Sequence, residues 1–326
     1  MNRLRFFLNL VFYFDKDVQF VNIRKLKDAF AGRLMLAAAI FSSVLLFIVA
    51  FALYLRSKPI LEVKSLSDLL LGITWLPSQG DFGFFPFILG TVYVTALAMV
   101  FAIPLSILSA VYLAEYANER LKSMILPLID LLAGIPPVVY GLFGVLAIVP
   151  LVAGIAPLFK DSGIPLLSGG SYVTGYSVLA GGIVLAIMVF PIIISISYEV
   201  FKAVPFEVRE ASLSLGATRW QTIKHAVIRT ALPGIAAAVI LGFSRAIGET
   251  MAVLMVVGNV VKIPSSIFDS AYPLTALIAN NYGEMMSIPM YDSALLLAAL
   301  ILMLIILFFN LGARLILIRI ERRMHG

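Results

Sequence analysis

Arg245 and Glu249 are the residues of this chain whose type and spacing are best suited to chemistry. They are the only charged residues between Thr230 and Val261, and they stand four apart. On one helix that spacing puts both on a single face, where they can pair. Ionisable groups inside a membrane are costly and ordinarily face a bundle interior or a pathway. Arginine is permanently charged and forks two donors toward phosphate oxygens. The pair therefore has two readings. In one, a passing oxyanion displaces Glu249 from Arg245, and Glu249 neutralises the arginine when no anion is present. In the other, the two form a structural ion pair between helices. Thr250 and Asn259 can line the same pathway, although polar side chains also bond helices together. Asp130 lies near the end of another apolar stretch, where it can cap or pair.

Other chemistries have no residues to carry them. The chain has no Cys, and its two histidines, His225 and His325, are far apart in sequence, so no metal site and no disulfide framework is expected. There is no Gly-Lys dipeptide, hence no phosphate-binding loop of the G-x-x-x-x-G-K-[ST] kind. No Ser/His/Asp constellation falls in the apolar stretches. The expectation is a chain with no catalytic residue and no cofactor, whose energy comes from another polypeptide.

The elements that must hold these residues follow from composition. Of 326 residues 61% are hydrophobic and 13% charged, against about 45–50% and about 25% in soluble domains. A soluble fold of this size could not hide that much apolar surface. Six stretches are long enough to cross a bilayer: 34–55, 82–114, 123–159, 162–198, 230–261 and 293–313. Only helices or closed barrels satisfy the backbone in lipid, and the alternation of barrel strands is absent. The fold class is all-α, a polytopic membrane protein of about six transmembrane helices. With both termini inside, 18 of the 24 Lys and Arg fall on the cytoplasmic side and five outside, which the positive-inside rule favours. The net charge of +6 thus reflects anchoring to membrane lipid and not nucleic-acid binding. Residues 6–14 are too short a run to span and are expected to lie at the interface. The expected organisation is an N-terminal interfacial segment 1–33, a first span with external loop 34–85, and a core 86–326. Gly134, Pro136 and Pro137 should break the third stretch, since proline interrupts a helix.

A cytoplasmic segment, 199–229, carries the most specific pattern. Pro205 can start a helix. Glu207 and Glu210 fall in its early turns, where the helix dipole favours negative charge. Gly216 suits a left-handed turn that ends it. A second helical stretch, 218–228, places Trp220, Ile223 and Val227 on one face. Helix, glycine turn and helix make a rigid knob that can transmit force from a soluble partner.

This segment resembles the EAA loop of ABC importer permeases, E-A-A, three residues, G, nine residues, I-x-L-P. Glu210-Ala211-Ser212 stands for E-A-A, Gly216 has the matching spacing, and 226–229 occupies the closing positions. The resemblance implies that Glu210, Ala211, Ser212, Gly216 and Arg219 form a coupling helix docking on an ATPase subunit. Further segments resemble phosphate permeases. These are Trp75-Leu76-Pro77, Phe82-Gly83, Gly90-Thr91, Tyr112-Leu113-Ala114-Glu115-Tyr116 and the run 132–141. A last run, 245–252, ends at Gly258-Asn259 and resembles the PstC-type subunit. The resemblance implies the type I ABC importer permease fold, alternating access, and phosphate as cargo. It implies as partners a PstA-type second permease subunit, a PstB-type ATPase dimer and a PstS-type extracytoplasmic phosphate-binding protein. An ABC permease for sulfate or molybdate, or an ion-coupled secondary transporter, are the rival readings.

Overall fold

The computed structural model describes residues 2–159, 163–164, 166–168, 174–284, 288 and 290–325. The chain divides into two units, 1–55 and 56–326. The first unit is helical and belongs to α1 (Asn2–Val63). Within it the apolar side chains from Leu34 to Leu55 are almost all exposed, Phe41 at 66% and Phe47 at 71% among them. Lipid satisfies such a surface where water would not.

The second unit opens with the last turns of α1, then α2 (Leu66–Leu71), whose N-cap Ser65 accepts from the Asp68 amide. A two-stranded hairpin follows, β1 (Trp75–Leu76) and β2 (Asp81–Phe82), antiparallel with Trp75 opposite Phe82. Trp75 packs edge-on against Phe82 and Phe87 at 5.4 and 5.1 Å between ring centroids. The hairpin thus plugs the start of α3 (Phe85–Val111), which runs on through a π-helical turn, Tyr112–Tyr116.

α4 (Glu119–Ala133) is capped by Asn118, and the chain turns at Gly134 before α5 (Pro137–Phe143). A π turn leads into α6 (Val149–Ile155). α7 (Val178–Lys202) lies along α3. Small residues are buried on both, Ala98, Ala102 and Ser106 on one and Ala180, Gly182 and Ala186 on the other, and a Cβ at Gly182 would stand 3.0 Å from the Leu97 side chain of α3. Small side chains let backbones approach where lipid supplies no hydrophobic drive between helices. α8 (Phe206–Ser214) and α9 (Arg219–Thr222) follow, and a π turn joins α9 to α10 (Ile228–Ile247). The chain closes with α11 (Met251–Val256), α12 (Leu274–Asn281) and α13 (Tyr291–His325).

Among the described residues six helices are long and apolar enough to cross a membrane: Lys27–Val63, Phe85–Tyr116, Pro137–Phe159, Val178–Lys202, Arg219–Ile247 and Tyr291–Arg319. The count agrees with the sequence, and the helix limits differ, most in the third, fourth and fifth spans. The third stretch breaks at Gly134 as expected, so its first half becomes α4 and only Pro137–Phe159 is a span. The fourth begins at Val178, and the expected start at Ser162 lies outside the described residues. The fifth ends at Ile247 and not at Val261, because Gly248 terminates α10. Its other end begins at Arg219, so the second arm of the 199–229 segment is continuous with the span.

Candidate functional site

Segment 199–229 forms the expected elbow. Pro205 precedes the first helical residue of α8, and Glu207 sits in the first turn. Gly216 has φ of 81°, a left-handed backbone that side-chain-bearing residues adopt at a cost. Thr218 then opens the second arm with a capping box. Its hydroxyl accepts from the Gln221 amide, and the Gln221 side chain accepts from the Thr218 amide at 2.8 Å. The hydroxyls of Ser212 and Thr222 meet at 3.0 Å and tie the two arms together. Ile223 and Val227 are buried as the spacing predicts, but Trp220 is 50% exposed. Thr222 is buried in its place, and the helix widens into a π turn at Ile223–Val227. On the opposite side α8 has no fully buried residue. Phe206 and Leu215 are 66% and 89% exposed, and Glu210 and Ala211 are exposed beside them. An apolar knob rimmed by carboxylates is a surface built to be covered.

Arg219 does not extend that surface. It donates to the carbonyl oxygen of Glu115, and its guanidinium lies 4.7 Å from the centroid of the Tyr116 ring. Sequence reasoning missed its companion, Arg209, which pairs with the Glu115 carboxylate at 2.6 Å. Glu115 was noticed only as part of a motif. The signal available was the Arg209–Glu210 dipeptide, in which one charge must face inward if the other faces out.

The expected pairing of Arg245 with Glu249 is corrected. No ion pair joins them among the described residues. The helix ends at Ile247, so four-residue spacing no longer places them on one face. Glu249 Oε1 instead accepts from the amides of Thr250, Met251 and Ala252 at 3.0, 3.0 and 3.3 Å. These are the free donors at the start of α11, where the helix dipole favours a carboxylate. The Glu249 carbonyl accepts from Thr275 Oγ1 at 3.1 Å, which ties this corner to α12. Arg245 is left exposed in the last turn of α10, with Tyr140 of α5 within electrostatic reach. A permanent cation without a carboxylate partner is ready to receive an anion.

Thr250 contributes its amide to Glu249, and its hydroxyl lies 3.4 Å from the Gly248 carbonyl. Asn259 has φ of 52°. Its Nδ2 donates to the Leu254 carbonyl at 2.8 Å, while Oδ1 is buried with no donor among the described residues. It borders a cavity of about 350 Å³ shared with Tyr176, Met255 and Ser270. Glu249 borders a different, much smaller one with Thr91, Thr95 and Thr275. The four pathway candidates are thus not gathered in one chamber of this chain. Asp130 lies exposed near the end of α4, and the Ser195 hydroxyl approaches it at 3.5 Å.

The loop after α11 is pinned from below. Asp269, 1% exposed, pairs with Lys262 at 2.6 Å and accepts from the Ser265 hydroxyl and the amides of Ser265 and Ser266. Burial pushes its carboxyl up, but the Lys262 ammonium and the serine donors outweigh that and hold it below the usual value. The Asp269 carbonyl receives the Val178 amide at 2.9 Å, fixing the loop to the start of α7.

Residues 102–325 match the family of binding-protein-dependent transport system inner membrane components. The chain is 39% identical to the probable ABC transporter permease protein YqgH of Bacillus subtilis, over 76% of this chain and 78% of that protein. It is 34% identical to the phosphate transport system permease protein PstC of Xylella fastidiosa, over 92% and 94%. Against PstC of Mesorhizobium japonicum the figures are 37%, 91% and 92%. The fold is similar to that of the MetNI methionine ABC transporter in an inward-facing form. The TM-score is 0.53 at 17% identity, covering 71% of this chain and 93% of that one.

Proposed function

This chain belongs to the binding-protein-dependent transport system inner membrane components, as a multi-pass permease subunit of an ABC importer, and from that premise we propose that it carries inorganic phosphate into the cytoplasm. The observation that carries the phosphate reading is Arg245. It is a permanent cation in the last turn of the fifth span, exposed and free of any carboxylate partner among the described residues. The chain around it is similar to PstC proteins over about nine-tenths of its length. A single arginine lowers the barrier for a phosphate dianion without trapping it. Glu249, held by the α11 amides, shapes the corner beside Arg245 and does not compete for it. Thr250 at the start of α11 and Asn259 beyond its end can each offer hydrogen bonds to hydrated cargo.

Energy comes from outside the chain. The exposed face of α8, with Glu210, Ala211 and Gly216 at its tip, docks on one protomer of a PstB-type ATPase dimer. Ser212 and Arg219 hold the two arms behind it. A PstA-type permease subunit covers the face on which Arg245 lies. A PstS-type binding protein delivers phosphate to the external loops, and both termini of the chain are cytoplasmic. This chain supplies the gate and holds no catalytic group of its own.

Radiolabelled phosphate and sulfate uptake by the reconstituted complex, with and without ATP, tests this directly. Phosphate accumulates only with ATP. Sulfate uptake at a comparable rate would make it a permease for another oxyanion. Uptake driven by an ion gradient without ATP would make it a secondary transporter.

A further inference from the structure

Two arginines, one from each arm of the elbow, converge on a single residue of span 2. That span ends in the π-helical turn Tyr112–Tyr116, and such one-turn widenings are frequent at functional sites. Within it Glu115 has a side chain only 10% exposed. Arg209 of α8, 17% exposed, uses its whole fork there. Nη2 and Nε donate to Glu115 Oε1 at 2.6 and 3.2 Å. Nη2 also donates to the Phe201 carbonyl at 2.9 Å, and Nη1 to the Val204 carbonyl at 2.7 Å. Those carbonyls stand at and just beyond the end of α7, where a helix runs short of internal donors. Arg219 of the second arm donates to the Glu115 carbonyl and stacks over Tyr116.

We infer that Glu115 is a positioning residue for energy coupling: its carboxylate and carbonyl lock both arms of the elbow to the ends of spans 2 and 4, so that α8 and these spans move as one body. The inference rests on the importer reading above. The geometry makes it specific. α8 has no fully buried residue and meets the cluster beneath it through the partly buried Val208, so packing holds it only weakly against the spans. The lock is charge-assisted, multidentate and half-dry, the kind of contact that fixes orientation. Without Glu115 the Arg209 charge is left uncompensated at a site largely closed to water, and α8 is free to shift when pushed. Force then dissipates in the elbow before it reaches the gate.

The test uses the full complex with its ATPase and binding protein, reconstituted in vesicles, carrying Glu115→Gln, Glu115→Asp or Arg209→Lys. Phosphate uptake and ATP hydrolysis are read together. Glu115→Gln is expected to lower phosphate moved per ATP hydrolysed at least about tenfold, with hydrolysis within about twofold of wild type. Glu115→Asp, which keeps the charge, recovers part of the ratio. Equal loss of hydrolysis and uptake would overturn the inference, because it is the mark of a merely structural residue. An unchanged ratio in all three variants would also overturn it. If Glu115→Gln does not assemble, Arg209→Lys decides, since it retains the pair and loses the fork to Phe201 and Val204. A wild-type complex that takes up no phosphate with ATP would instead sink the importer reading.

Discussion

The side chain of Arg245 ends without a carboxylate partner among the described residues while Glu249 Oε1 is engaged by three amides, and this gives the two residues separable phenotypes. Arg245→Gln removes a contact to the anion worth about 1.5–3 kcal/mol. Phosphate uptake is expected to slow roughly 10- to 100-fold, while the thermal midpoint of the purified permease stays where it was. Glu249→Ala strips three amides at the start of α11 of their acceptor, a capping loss of about 1 kcal/mol. Its midpoint should fall visibly. A midpoint lowered equally by both substitutions would show that the pair acts as one structural unit after all. Residue types in this region were legible in the sequence, and their geometry was not. Four-residue spacing looks the same whether the helix continues or stops at Gly248, and hydropathy is blind to a break lined by Ala246, Ile247 and Met251. Asp269 makes a third residue-scale prediction. Its carboxyl sits below the ordinary value when folded, so its stabilising contribution is present at neutral pH and is lost only as pH falls below about 4. The difference in thermal midpoint between the wild type and Asp269→Asn should be constant from pH 8 to 5 and shrink below that.

At the scale of elements, the elbow was the most legible part of the chain because local backbone chemistry writes it. Pro205, the early glutamates and Gly216 each act over three or four residues, and each appears where the sequence places it; the Thr218–Gln221 box, found in the structure, is local chemistry of the same kind. What local chemistry does not encode is the π turn at Ile223–Val227, which packs against α8, and the exposure of Trp220. The left-handed turn itself can be tested. A Cβ at Gly216 meets nothing within 4 Å, so Gly216→Ala costs only the backbone penalty, roughly 1–2 kcal/mol. Asparagine tolerates this conformation. Phosphate moved per ATP should therefore drop in Gly216→Ala and recover in Gly216→Asn. Equal loss in both would mean that the site rejects any side chain, and the turn would then owe its glycine to a close-fitting partner surface.

For the whole molecule, composition alone is enough to give the number of spans, and charge distribution carries the expectation of their sidedness, since both depend on transfer of surface and charge between water and lipid and not on contacts. Helix ends, chamber boundaries and the face left for a second permease subunit depend on tertiary packing, which is why they were out of reach. Sidedness is open to a clean experiment because the chain has no native Cys, so a single introduced thiol reports one position. Leu215, 89% exposed at the elbow, and Leu71, 67% exposed between the first two spans, belong on opposite sides of the membrane if the elbow is cytoplasmic. In intact cells a membrane-impermeant maleimide should label Leu71→Cys and spare Leu215→Cys. In inverted vesicles stripped of peripheral protein the pattern should reverse. With span number even, one such pair of measurements also sets both termini. Leu215→Cys labelled from outside an intact cell would put the elbow beyond the reach of any cytoplasmic ATPase, and phosphate import driven through α8 would have to be abandoned.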